Sequence, residues 1–121
     1  MKVSILQKKI IIFDIDNTLG KTKKLDYEKS KPIKSRIKIV NKLYDQGHII
    51  KIFTARYMGK HNGNVRIIKK KYFKKTQNQL KKWGIKFHKL IMGKPIFDIF
   101  VDDKNYNVKD KKLNKIFKQL T

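Results

Sequence analysis

Only nine of the 121 residues are acidic, and four of those stand in two tight pairs, Asp14/Asp16 and Asp102/Asp103. Scarce carboxylates that cluster are the side chains here best suited to chemistry. A carboxylate can attack as a nucleophile, carry a proton, or hold a hard cation. Each pair follows an apolar run, Lys9-Ile10-Ile11-Ile12-Phe13 before the first and Phe97-Asp98-Ile99-Phe100-Val101 before the second. Runs of this length, rich in β-branched and aromatic residues, read as buried parallel strands. Both pairs then fall at the carboxyl ends of strands, where open α/β sheets place their ligand sites.

The elements needed to position them alternate along the chain. The first strand is expected over about Lys9 to Ile15, followed by a polar loop or small flap from Asn17 to Lys31. Pro32 suits a first helical position, and Ile33, Ile37, Val40, Leu43 and Tyr44 keep helical spacing until Gly47. A second strand is expected over His48 to Phe53, closed by Thr54-Ala55-Arg56, and a Gly/Asn-rich loop covers Tyr57 to Asn64. A long helix from about Val65 to Trp83 presents Ile68, Tyr72, Leu80 and Trp83 inward, and Gly84 caps it. A short third strand within Ile85 to Met92, a turn at Gly93-Lys94-Pro95, a fourth strand within Ile96 to Asp102 and an amphipathic helix from Lys109 to Leu120 complete the pattern. The expectation is one α/β domain over residues 1–121: a three-layer, Rossmann-like parallel sheet of about four to five strands with flanking helices.

Four short motifs then occur in order: Asp14-Ile15-Asp16-Asn17-Thr18-Leu19 after the first strand, Thr54 closing the second, Lys94 before the fourth, and Val101-Asp102-Asp103 closing it. The set resembles the haloacid dehalogenase superfamily of phosphotransferases over residues 9–107. That resemblance implies Asp14 as nucleophile, forming an aspartyl-phosphate, with Asp16 protonating the leaving alcohol and later activating water. It implies Mg²⁺ held by Asp14, the backbone carbonyl of Asp16 and Asp102, with Asp103 as a second ligand or water-holder. It gives Thr54 a hydrogen bond to a phosphoryl oxygen and Lys94 the task of offsetting negative charge. Thr54, Ala55, Arg56 and Lys94 together would contact the substrate. Asp16 argues against dehalogenating relatives and ion-pumping ATPases, which leaves a phosphomonoesterase. Thr54 lies 38 residues after Asp16 and 40 before Lys94, intervals already filled by the expected elements, so no cap domain is inserted. Within the superfamily the pattern resembles small bacterial phosphatases associated with surface-polysaccharide or sugar-nucleotide pathways. The flap from Gly20 to Lys31 carries no substrate signature of its own.

Composition bounds the alternatives. With no cysteine, disulfides, zinc-thiolate sites, iron–sulfur clusters and thiol catalysis are excluded. No apolar run approaches the roughly 18 residues that cross a bilayer, and no secretory segment opens the chain, so a soluble cytoplasmic protein without a membrane partner is expected. The net charge of +23 fits a polyanion footprint, yet Lys outnumbers Arg 29 to 3, and Phe, Ile, Lys, Tyr and Asn fill 67 positions. Those residues have AT-rich codons, so genome composition accounts for much of the charge. The leading expectation is a phosphatase for a small phosphorylated metabolite such as a sugar phosphate. The alternative is a macromolecular phosphatase, recruited to a nucleic-acid 3′-phosphate by the basic surface. A two-metal nuclease leaves Thr54 and Lys94 without roles, and a purely nucleic-acid-binding module leaves the clustered acids unexplained. An open site is also compatible with a homo-oligomer whose neighbour forms the lid.

Overall fold

A computed structural model describes residues 7–120. Residues 1–6, within the stretch read as lacking a secretory segment, and residue 121 lie outside them. The element order is β1 (Ile10–Phe13), β2 (Gly20–Lys21), a 3₁₀ turn (Tyr27–Lys29), β3 (Lys31–Pro32), α1 (Lys34–Asp45), β4 (Ile49–Thr54), α2 (Val65–Lys82), β5 (Lys89–Met92) and α3 (Lys111–Leu120). β1, β4 and β5 form a parallel sheet in the order β1-β4-β5, with helices flanking it. Two parallel neighbours joined through a helix are the βαβ unit expected from the alternation.

Side-chain alternation divides the sheet into two unequal faces. Phe13, Ile50, Ile52, Leu90 and Met92 are buried and pack with Ile37, Val40 and Leu43 of α1 and with Ile68 and Leu80 of α2. Ile10 and Ile12 point to the other face and are 62% and 57% exposed, beside the half-open Ile49. α3 reaches the sheet through Phe117, whose ring stacks on Phe13 at 6.2 Å. His48 joins these parts: its Nδ1 accepts from Lys9 N at 3.1 Å, and its Nε2 lies 3.3 Å from Leu120 O. It is a buried structural residue.

Two expectations are corrected. Pro32, expected at a first helical position, lies in β3 instead, because the stretch 17–31, expected as a loop or small flap, is a flap in which β2 and β3 pair antiparallel around the 3₁₀ turn. Ile33 N donates to Leu19 O at 2.8 Å, so the extended conformation wins at the flap's base before α1 begins. Second, the expected fourth strand within Ile96 to Asp102 is not formed, and among the described residues the sheet has three strands. Ile96, Ile99 and Val101 are 66%, 81% and 90% exposed. An apolar run becomes a buried strand only when a neighbouring edge pairs with it and a layer covers it, and here neither occurs.

Candidate active site

The sheet's carboxyl edge gathers the first acidic pair. β1 ends at Phe13, and the chain then turns tightly: Thr18, Leu19 and Gly20 N all donate to Ile15 O at 2.8–3.1 Å. Asn17 takes φ 62° within this turn, a left-handed conformation that asparagine tolerates well. Ile15 and Leu19 are buried, anchoring the loop, while Asp14 and Asp16 are partly exposed. Arg36 of α1 fastens the loop from outside, its Nη1 donating to the carbonyls of Asn17 and Thr18 at 3.2 and 3.1 Å.

Asp14 and Lys94 meet here. Lys94 Nζ is 3.8 Å from Asp14 Oδ1, and both side chains are largely enclosed. Lys94 is brought in by β5 and by its own backbone, since its N–H donates to Thr54 O at 3.0 Å. Its ammonium also lies over the Phe97 and Phe100 rings, at 5.1 and 5.9 Å from their centroids. Burial pushes the Asp14 carboxyl above the usual carboxylate range, and the Lys94 charge, a hydrogen bond from Ile15 N–H and Thr18 pull the other way. Thr18 Oγ1 approaches Asp14 Oδ2 at 3.5 Å.

Asp16 occupies a different environment. Arg56 Nε donates to its two carboxylate oxygens at 3.2 and 3.0 Å, and Arg56 Nη2 donates to Oδ1 at 2.9 Å. Thr22 Oγ1 in the flap donates to the same Oδ1 at 2.5 Å and shares a short hydrogen bond with Ser30 Oγ. Arg56, expected to contact the substrate, is 2% exposed here with its guanidinium bound to Asp16. Thr54 is fully buried, and its Oγ1 accepts from Arg56 N at 3.1 Å, shaping the turn that delivers Arg56. Ala55 O accepts from Met58 N in the same turn.

The second acidic pair is placed elsewhere. Asp102 and Asp103 lie on the exposed segment after β5, where Asp102 Oδ1 accepts from Lys104 N at 3.0 Å. That bond and one from Asp103 hold the Asp102 carboxyl below the usual range. Among the described residues, no three acidic or histidine side chains converge to hold a metal ion. Asp14 faces an ammonium, Asp16 is committed to a guanidinium, and a third oxygen donor is missing in this conformation.

Sequence reasoning missed Thr22, Ser30, Gln79 and Tyr27. Their polar types are unremarkable, and only the fold brings them to Asp16 and Arg56. A signal for Arg56 itself did exist, because arginine is rare in this chain and one stands directly after the strand-end Thr54-Ala55.

No protein-family model matches the chain, and no curated protein does. Among solved structures, the crystal structure of an MCSG target from Vibrio cholerae is similar, with a TM-score of 0.78 and 24% identity. The match covers 95% of this chain and 100% of that one. At that identity the likeness establishes a shared α/β fold.

Proposed function

We propose that this chain is a Mg²⁺-dependent cytoplasmic phosphomonoesterase acting through a phosphorylated Asp14, on a small phosphorylated metabolite such as a sugar phosphate. The observation that carries this reading is the Lys94 ammonium 3.8 Å from Asp14 at the carboxyl edge of the sheet, with Asp16 two residues on. An anionic nucleophile must approach an anionic phosphoryl group, and a fixed cation beside it lowers the repulsion between them. Asp14 attacks phosphorus, and the ester oxygen leaves with a proton from Asp16. Asp16 then takes a proton from water, whose oxygen displaces phosphate from Asp14, leaving Asp14 again a free carboxylate and Asp16 again the protonated acid. Lys94 and the Thr54–Arg56 turn form the wall of the site.

The finer reading of the fold belongs to the same proposal. The segment 96–102 adds to the free edge of β1 as a fourth strand, carrying Asp102 and Asp103 toward Asp14. Asp14, the Asp16 carbonyl and Asp102 would then hold Mg²⁺, with Asp103 alongside, and the cation would offset phosphoryl charge. Among the described residues that donor set is not assembled, and the proton and phosphoryl transfers rest on Asp14, Asp16 and Lys94. The net charge of +23 favours one second reading, in which the open, capless site takes a nucleic-acid 3′-phosphate.

The test is a panel of phosphorylated metabolites, phosphate esters and 3′-phosphorylated oligonucleotides, assayed with Mg²⁺ and with EDTA. Release of phosphate from small esters, lost in EDTA, is the expected result. Preference for the oligonucleotides, steeply weakened by salt, favours the second reading. No phosphate released from any substrate sinks the assignment.

A further inference from the structure

Lysine is this chain's default cation, at 29 residues against three arginines, so the positions that keep arginine are informative. Two of the three are spent on one loop. Arg36 holds the backbone carbonyls of Asn17 and Thr18, and Arg56 holds the carboxylate of Asp16. A lysine supplies a point charge, whereas a guanidinium fixes a carboxylate in its plane through two nitrogens. Arg56 is itself fixed. Its Nη1 donates to Gln79 Oε1 at 2.5 Å, and its guanidinium carbon lies 5.1 Å from the Tyr27 ring centroid.

The contacts continue into the flap on two sides. Gln79 Nε2 donates to Tyr27 O at 2.8 Å, while Thr22 bridges Asp16 to Ser30. Asp16 is thus gripped between α2 and the flap, and its orientation depends on both. A proton-transfer group must be aimed at its target oxygen, and a misplacement of about 1 Å can cost about 10²-fold in rate.

We propose that Arg56 is a positioning residue for Asp16, and that Gln79 with the flap hydroxyls of Thr22 and Ser30 completes the set of contacts that aims this carboxylate. The assignment rests on the reading of Asp16 as the proton-transfer group of a phosphatase. It does not require Arg56 to touch the substrate.

Two measurements test it. The first compares Arg56→Lys and Gln79→Leu with the unsubstituted chain on an alkyl and an aryl phosphate, using kcat/KM, which reports the steps through transfer to Asp14. An aryl oxide leaves without help and an alkoxide does not. Arg56→Lys should therefore lose about 10- to 100-fold on the alkyl ester and far less on the aryl ester, with Gln79→Leu following the same pattern more weakly. Equal losses on both esters, or none, overturn the proposal. The second is independent of turnover and decides the tether if the chain hydrolyses nothing and the phosphatase reading falls. With three arginines, the Arg Nε–H resonances are few enough to assign by single Arg→Lys variants. The Arg56 Nε–H should exchange with solvent far more slowly than that of exposed Arg66, and Asp16→Asn should shift it and speed its exchange. An Arg56 resonance exchanging as fast as that of Arg66, or indifferent to Asp16→Asn, overturns the proposal.

Discussion

The two acidic pairs of this chain look alike in sequence and live in different physical circumstances. Asp14 and Asp16 follow a strand paired along its length, and the loop after it is closed by backbone hydrogen bonds and two arginines. Asp102 and Asp103 follow an equally apolar run that no strand pairs with, and Asp102 bonds only locally, to Lys104 N and to its neighbour. Burial raises the Asp14 carboxyl, whereas local hydrogen bonding in the open lowers that of Asp102. A motif at the end of a hydrophobic run therefore specifies a site only as firmly as the run itself is held in the sheet.

The sharpest way to break this comparison is to remove the proposed nucleophile of the first pair. Asp14→Asn should abolish turnover by several orders of magnitude, as losses of a covalent nucleophile generally do, and should leave no phosphorylated protein in rapid-quench intact-mass analysis. A phosphorylated Asp14→Asn protein would remove Asp14 from that role.

A next-largest effect is expected at the second pair, and it decides whether the exposed segment docks during turnover. Asp102→Ala should lose more in Mg²⁺ affinity than the roughly 10- to 100-fold typical of residues one step removed from a metal. Ile99 is 81% exposed, so Ile99→Asp should leave thermal stability in EDTA nearly unchanged. If the run docks on β1, the same variant should weaken Mg²⁺-dependent activity, because it places a charge in the new interface. Full activity of both variants would leave the second pair outside the site.

What was legible in the sequence follows the same division. β1, β4, β5 and the three helices were readable because each couples its hydrophobic period to a partner nearby in the chain, as Ile50 and Ile52 do with Val40 and Leu43 of α1. The Asp14–Lys94 approach was expected from the resemblance of the ordered motifs alone, and the sheet provides it because both residues sit just beyond strands that lie on either side of β4. A loop or small flap was expected over Asn17 to Lys31, but the strand pairing inside it was not legible, because pairings of two residues such as Gly20–Lys21 with Lys31–Pro32 leave no periodic trace. Its seat is equally silent: Gly20 lies so close to the Trp83 ring that a Cβ there would collide with it. The Ile96–Asp102 run shows the opposite failure. Its residue types favour a strand, but strand formation depends on an edge contact that composition does not encode.

The smallest effect distinguishes the two pairs by the sign of a slope. For Asp14 the folded-state pKa lies above the unfolded value near 3.8, so the folded state binds the extra proton. Stability from this group is then greatest below that value and is lost as pH rises through the folded pKa. Replacing Asp14 by Asn removes the buried charge, so in EDTA the variant should melt higher than the parent chain at neutral pH, and the gain should shrink toward zero as pH falls below the carboxylate range. For Asp102 the folded pKa is depressed, so its contribution is present above the unfolded value and fades as pH falls through the folded one. Asp102→Asn should therefore melt slightly lower at neutral pH, with that deficit also vanishing in acid. Exposure of Asp102 keeps its effect the smaller of the two. Melting curves of the three proteins from pH 3 to 7 in EDTA give the comparison directly. Shifts of the same sign for both variants would mean that the two carboxylates share one environment, as they would if the segment 96–103 were docked without metal.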